Sequence, residues 1–133
     1  MNNNFTLNVY GQKIEVSAKL FLYRVKDFIG TNLTIPGIQL HMATGEPFGI
    51  LTKSFGEFIG LKNTAYIDIN NFPNATQLLE MGIAKDTGFT KHSGFCVYPL
   101  WEFDEEFLRG IGEEEYQKYS DRFERYMNTF CQE

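Results

Sequence analysis

Three stretches of the chain hold side chains whose types and spacing could do chemistry. In the first, Asp68 and Asn70 stand two residues apart and Asn71 follows. On a short strand that spacing sets oxygen ligands along one face. A calcium-binding EF-hand uses similar spacing but also needs a glycine at its sixth position and a glutamate at its twelfth, and both are absent here. A turn organised by the Asx side chains is therefore the expectation. The second stretch holds Asp86, His92 and Cys96, the residue types of an orienter, a base and a nucleophile. Such sets are defined by geometry in space and not by closeness in sequence. No nucleophile elbow surrounds Cys96, which sits in an apolar, strand-like run where an inert buried thiol is expected. His41 is expected at the surface, opposite the Ile38/Leu40/Met42 face of its strand.

The third stretch is acidic: Asp104, Glu105 and Glu106, then Glu113, Glu114 and Glu115. Residues 101–133 carry 10 acidic side chains against 4 basic ones, whereas residues 1–100 carry 7 against 8, so the last quarter holds the whole negative excess of a chain with net charge −5. Each cluster opens a segment with helical periodicity, where the backbone dipole favours acidic side chains by about 0.3–1 kcal/mol apiece. Most of the excess thus has a local structural reason. No residue is assigned a catalytic role. Asp68, Asn70, Asn71, Asp86 and His92 form a candidate polar cleft, and the six acids form a candidate interaction patch.

Other devices are excluded by spacing or charge. Gly82, Gly88 and Gly94 make neither a dinucleotide fingerprint nor a P-loop. Lys85 and Lys91 flank Phe89, a weak hint of base stacking, but an acidic chain is a poor binder of phosphate backbones. Cys96 and Cys131 match no zinc or redox spacing, and reduced thiols are expected. No cofactor and no metal are implied. Met1-Asn2-Asn3-Asn4 lacks the regions of a signal peptide, and no apolar run approaches the roughly 18–20 residues of a membrane span. A cytoplasmic protein is expected.

The elements that must position these residues read as α+β. A length of 133 residues fits one domain covering residues 1–133, mostly strands with a short helix near 74–81 up to residue 103, and helical over 104–131. Phe5, Leu7 and Val9 alternate with polar neighbours, and Gly11-Gln12 suits a type II′ hairpin turn. Ile14, Val16, Ala18, Leu20 and Leu22 continue with clean period 2. A loop through Gly30, Asn32, Pro36 and Gly37 leads to strands on Ile38–Met42, Phe48–Lys53 and Tyr66–Ile69. Asn74 caps a short helix with Gln77 completing the capping box and Gly82 ending it. One or two strands fill 83–103, and Asp104 caps a short helix. The last helix runs from about Glu113 to Phe130. Tyr116, Tyr119, Phe123, Tyr126, Met127 and Phe130 recur at steps of three and four, and Glu114–Lys118 and Asp121–Arg125 stand in the favourable i,i+4 order. The expected fold is an antiparallel, curved sheet of five to seven strands, one short helix, and a C-terminal amphipathic helix laid on the sheet.

In the middle of the chain, Gly45-Glu46-Pro47-Phe48, Ile67-Asp68, Asn70-Asn71, Gly82-Ile83-Ala84, Thr87-Gly88, Ser93-Gly94-Phe95 and Tyr98-Pro99-Leu100 occur in that order. This series resembles a family of small proteins with a domain of unknown function, carried on conjugative elements, plasmids and phages of gut-type bacteria. The resemblance runs from about residue 18 to residue 103 and leaves the acidic C-terminal helix outside. It implies a cytoplasmic accessory protein of a mobile element, without an activity, cofactor or catalytic residue. In relatives a polar residue such as threonine is expected between Asp68 and Asn70, where this chain has Ile69.

Three functions follow as expectations. The first is a non-enzymatic interaction module that binds another protein, for instance a host defence nuclease whose basic channel the acids would cover. The second is a ligand binder or small enzyme using the polar cleft. The third is a structural homodimer. Nucleic-acid and membrane partners are not expected.

Overall fold

Strict alternation over Lys13–Leu22 builds the longest strand of the computed structural model, which describes residues 4–131. The polar start at residues 1–3, residues 132–133 and the side chain of Cys131 lie outside the described part. Strand β1 (Asn4–Val9) pairs antiparallel with β2 (Gln12–Lys26), and β2 pairs with β3 (Asn32–Met42) over eleven residues. The turn between β1 and β2 has Tyr10 and Gly11 at its centre, with φ of 51° and 80°. Positive φ at both positions marks a type I′ turn, one residue earlier than the type II′ turn expected on Gly11-Gln12.

Strand β3 also begins earlier than the sequence suggests, because Asn32, Pro36 and Gly37 lie inside it. The N–H and C=O of Ile38 both face away from β2, towards Thr52 Oγ1 and Leu51 N. Two residues earlier Pro36 has the same orientation, so its missing N–H takes nothing from the β2–β3 ladder. Gly37 is required by close approach: a Cβ there would sit 2.6 Å from the Phe21 ring and 2.7 Å from that of Tyr23.

β4 (Pro47–Ile50) completes the first sheet, in the order β1-β2-β3-β4. Leu51 then turns the chain out of that sheet, and β5 (Thr52–Lys53) starts a second one. Its order is β5-β6-β8-β7, with β6 at Thr64–Ile67, β7 at Ala84–Ser93 and β8 at Cys96–Phe103. Two four-stranded antiparallel sheets therefore replace the single curved sheet expected from sequence. The run Phe48–Lys53 reads as one strand because nothing local marks the corner at Leu51. The chain divides there because β4 pairs with β3 only as far as Ile50, opposite Gln39.

Between β6 and β7 lie a 3-10 turn (Pro73–Thr76) and α1 (Gln77–Glu80). The expected capping box does not form: Asn74 lies inside the 3-10 turn, and neither start has a side-chain cap. Gln77 is used elsewhere, because its amide accepts from Asn8 N and donates to Asn8 O, both at 2.8 Å. That pair ties α1 to β1. Gly82, with φ 76°, ends the helix as anticipated.

α2 (Glu105–Gly112) begins where Asp104 accepts from Phe107 N at 3.0 Å, the expected cap. α3 (Glu114–Cys131) follows after Glu113, which has a φ of 48°. Both helices pack on β2, and α3 also on β3. Tyr116, Tyr119 and Phe123 are buried against the sheet, whereas Phe130 is 54% exposed. The aromatic stripe is therefore core at its start and surface at its end. The i,i+4 ion pairs expected on the outer face are absent among the described residues; Lys118 instead pairs with Glu115 at 3.0 Å, and Asp121 accepts from Gln117. One core cluster runs through both sheets and the helices, from Leu7 to Phe123.

Asn63 joins helix to sheet. Its N–H donates to the Tyr119 hydroxyl at 2.9 Å, its Oδ1 accepts from Tyr116 at 2.7 Å, and its carbonyl accepts from Phe103 N at 2.8 Å. A residue with φ of 65° next to β6 is thus held by two tyrosines some fifty residues later in the chain. Burial raises the pKa of both phenols, Tyr119 most, so their hydroxyls stay protonated.

Candidate functional site

The residues singled out by type do not gather in one place. Asp68 follows β6, and its carboxylate accepts from Asn71 Nδ2 at 3.0 Å and, more loosely, from Asn71 N. Asp68, Asn70 and Asn71 are therefore a turn organised by Asx side chains, as expected, although Asn70 lies beyond the strand that was to hold it. Asn70 Nδ2 reaches the carbonyl of Val97 on β8 at 3.3 Å. His92 stands across β7–β8 from that same Val97, on the far side from Asn70. With strands about 4.8 Å apart, the two backbones are separated by roughly 10 Å. Asp86 is opposite Trp101, four residues further along β8, or about 13 Å away. Its carboxylate accepts from Gly88 N at the β7 bulge. Asp86 and His92 are both exposed, and the five residues form no common cleft.

Two smaller expectations also change. His41 is half-buried, because it faces Ser17 inside the first sheet. Cys96 is half-buried too, since it opens β8 beside the hairpin tip and not within its apolar run. Among the described residues no group of three His, Cys, Asp or Glu side chains is placed to hold a metal. No helix of the described chain is long and apolar enough to cross a membrane.

Five of the six acids keep the local roles their positions suggested, whereas Glu113 is the C-cap of α2 and precedes the first turn of α3. Asp104 caps α2, Glu105 pairs with Arg109 at 3.1 Å, and Glu115 pairs with Lys118. Glu106, Glu113 and Glu114 face solvent. Asp104 and Glu105 border a shallow cleft of about 250 Å³ that also contains Lys85 and Glu102.

A larger cleft lies at the far end of α3. It measures about 690 Å³ and is lined by the β2–β3 turn, the segment around Phe58, and Tyr126, Met127 and Phe130 of α3. Its geometry starts at Asp27. The Asp27 carboxylate accepts from Ile29 N at 3.0 Å and Thr31 N at 2.8 Å, which folds the turn tightly. That turn puts Phe28 and Ile29 outside, 92% and 62% exposed. The other carboxylate oxygen accepts from the Tyr126 hydroxyl at 2.6 Å, fastening α3 to the turn. Loss of solvation pushes the Asp27 carboxyl up, but the bonds from Tyr126, Thr31 and Ile29 together outweigh it and leave it below its ordinary value.

Phe58 forms the opposite wall. Its N–H donates to Lys26 O at 3.1 Å, and its ring lies 4.9 Å from Tyr126, which lies 4.6 Å from Phe130. Val25, Leu33 and Ile35 make a small buried cluster underneath. The result is an aromatic hollow on a rigid base, with two exposed phenylalanines at its lip. Sequence reasoning missed it. The available signal was Phe28-Ile29 between Asp27 and Gly30, an apolar pair in a segment otherwise composed for a turn.

Residues 26–132 match a family described as a domain of unknown function, DUF4313. The chain belongs to this family. The DUF4313 region takes in α3 and the whole aromatic hollow, so it reaches further towards the C-terminus than the resemblance read from the central motifs, and it begins at Lys26. No curated protein and no solved structure matches the chain.

Proposed function

We propose that this DUF4313 chain is a protein-interaction module that engages its partner through the aromatic hollow at the end of α3. The observation that carries this reading is the pairing of exposed Phe28, Ile29 and Phe130 with a fixed apolar floor. Aromatic anchors beside a preformed hollow are the parts of an interface that supply most of its binding energy. Exposed apolar groups gathered at one place usually mark a contact surface. The alternative of a ligand or catalytic cleft on Asp68, Asn70, Asp86 and His92 draws no support from their separation.

The sequence resemblance supports an accessory role on a mobile genetic element. If the partner is a host defence nuclease met through its basic channel, contact falls on the exposed acids Glu106, Glu113 and Glu114. Such an interaction would weaken steeply with salt.

The test is capture from host lysate at low and high salt, with the wild-type chain and a Phe28→Ala/Phe130→Ala variant. The expected result is a partner retained at high salt by the wild type and lost by the variant. A partner captured equally by both, or released by salt alone, removes the hollow as the docking site. Light scattering on the same pair of proteins identifies self-association, the homodimer reading, if only the wild type is dimeric.

A further inference from the structure

A cationic track adjoins the hollow. On α3, Lys118, Arg122 and Arg125 recur at steps of four and three, so they form one stripe roughly 120° around the helix from the aromatic one. Arg24 of β2 stands across from them. Two grooves, of about 370 and 380 Å³, run along this stripe and share Thr34 and Arg122. Four of the 12 Lys and Arg residues of an acidic chain thus line one surface, with Asp121 among them and Glu115 paired with Lys118. Asp121 already accepts from Gln117 at 2.8 Å.

Most of this positive charge is uncommitted. Among the described residues no carboxylate lies within ion-pair distance of Arg24, Arg122 or Arg125. One Arg122 nitrogen donates to Asn32 O at 2.9 Å, which fixes the guanidinium at the groove wall and leaves further donors for a ligand. A third cleft, of about 280 Å³, contains both Arg122 and Arg125 together with Tyr126 and Phe130. It shares Arg122 with both cationic grooves, and Tyr126 and Phe130 with the aromatic hollow.

Resting on the protein-interaction reading, we propose that the occupant is an acidic peptide segment ending in aromatic or aliphatic anchors. Its carboxylates lie along Arg24, Arg122 and Arg125, and its anchor enters the hollow between Phe58, Tyr126 and Phe130. From Lys118 to Phe130 the helix rises about 18 Å, which an extended segment of roughly six residues spans. Guanidinium groups bind carboxylates with two parallel hydrogen bonds, so the arginines give both charge and direction. A polynucleotide fits less well. Its charge repeats at every nucleotide, while the acids Glu115 and Asp121 border the track.

Titration of the full chain with labelled synthetic peptides tests this. The probes are a short peptide of glutamates followed by phenylalanine and leucine, the same peptide with glutamine or lysine in place of glutamate, and a thymidine oligonucleotide. The glutamate peptide is expected to bind saturably and the lysine peptide not at all. Arg122→Gln with Arg125→Gln should weaken the glutamate peptide about tenfold, the sum of two partly exposed ion pairs. Arg125→Gln alone, at a side chain that holds no bond among the described residues, keeps the test intact if the double variant is unstable. If the glutamine peptide binds as tightly as the glutamate one and ignores both arginines, the acidic class is overturned while the hollow stands. Tighter binding of the oligonucleotide than of the glutamate peptide overturns it in favour of a single strand. No binding of the glutamate peptide overturns it outright, whatever the lysate capture shows.

Discussion

Removing one hydroxyl from α3 should cost more than its size suggests. Tyr119→Phe leaves the ring in place but takes away the oxygen that accepts from Asn63 N. Asn63 is only 7% exposed, so water cannot replace the acceptor without opening the core. An unsatisfied buried donor costs about 1–3 kcal/mol. For a chain of this size each kcal/mol lowers Tm by roughly 3 °C, which places the variant about 3–9 °C below wild type. Tyr116→Phe removes a donor to the Asn63 side chain, which can rotate, and should cost about 1 kcal/mol. The two effects should not add, because both variants act through the same residue. Urea and thermal unfolding followed by fluorescence measure this directly, since Trp101 is the single tryptophan and is 1% exposed.

The same tyrosine sets the sign of an alkaline effect. Its folded pKa is raised, so the protonated form is favoured by folding. That contribution is complete below the unfolded tyrosine value of about 10 and is lost as pH climbs from there towards the folded value. Wild type should therefore lose more stability than Tyr119→Phe above that pH. A Tyr119→Phe protein within about 0.3 kcal/mol of wild type at neutral pH would refute the reasoning, because Asn63 N would then have no need of the bond.

Other expectations concern neighbouring positions with opposite signs. Gly112→Ala should destabilise by about 1–3 kcal/mol, since a Cβ there collides with the Leu20 side chain and meets Tyr116 Cβ at 3.0 Å. Glu113→Gly should stabilise by about 1 kcal/mol, because glycine relieves a φ of 48° and ψ of −115° that a side chain resists; urea midpoints compare the two. Asp27 has a lowered folded pKa, so its contribution is present above the unfolded carboxyl value and is lost as pH falls through the folded one. An Asp27→Asn protein should accordingly show a flatter acid limb in a plot of Tm against pH than wild type does.

Periodicity made part of this structure legible. β2 and α3 were readable because each buries one face for many residues, and the pattern of Val16, Ala18 and Leu20 or of Tyr116, Tyr119 and Phe123 repeats the spacing of its element. The division into two sheets was not readable, because Leu51 is apolar like its neighbours and the corner depends on where β4 stops pairing with β3. Gln77 looked like half of a capping box because local spacing cannot reveal a partner as distant as Asn8. The aromatic stripe was read correctly as a stripe, but its sequence does not say that the sheet beneath it ends before Phe130. Lys118 and Arg125 enter the sequence pattern only as partners of Glu114 and Asp121, and it is Arg24, arriving from β2, that makes their side of α3 the wall of a groove.

Leu51 has one more consequence. Its N–H donates to Ile38 O and its carbonyl accepts from Asp68 N, each at 2.9 Å, so one fully buried residue is bonded to β3 on one side and to the end of β6 on the other. In mechanical terms it is a rivet between two plates. The β1–β2–β3 meander is built from neighbours in sequence and can assemble quickly, while the second sheet, beyond its local β7–β8 hairpin, must bring Ala65 to Trp101 before β6 joins it. The rivet closes only when both plates are in place. Strain applied to either sheet is then carried into the other through the two peptide groups of Leu51 and the neighbouring Ile38 N–Thr52 Oγ1 bond, and the two are made to yield together.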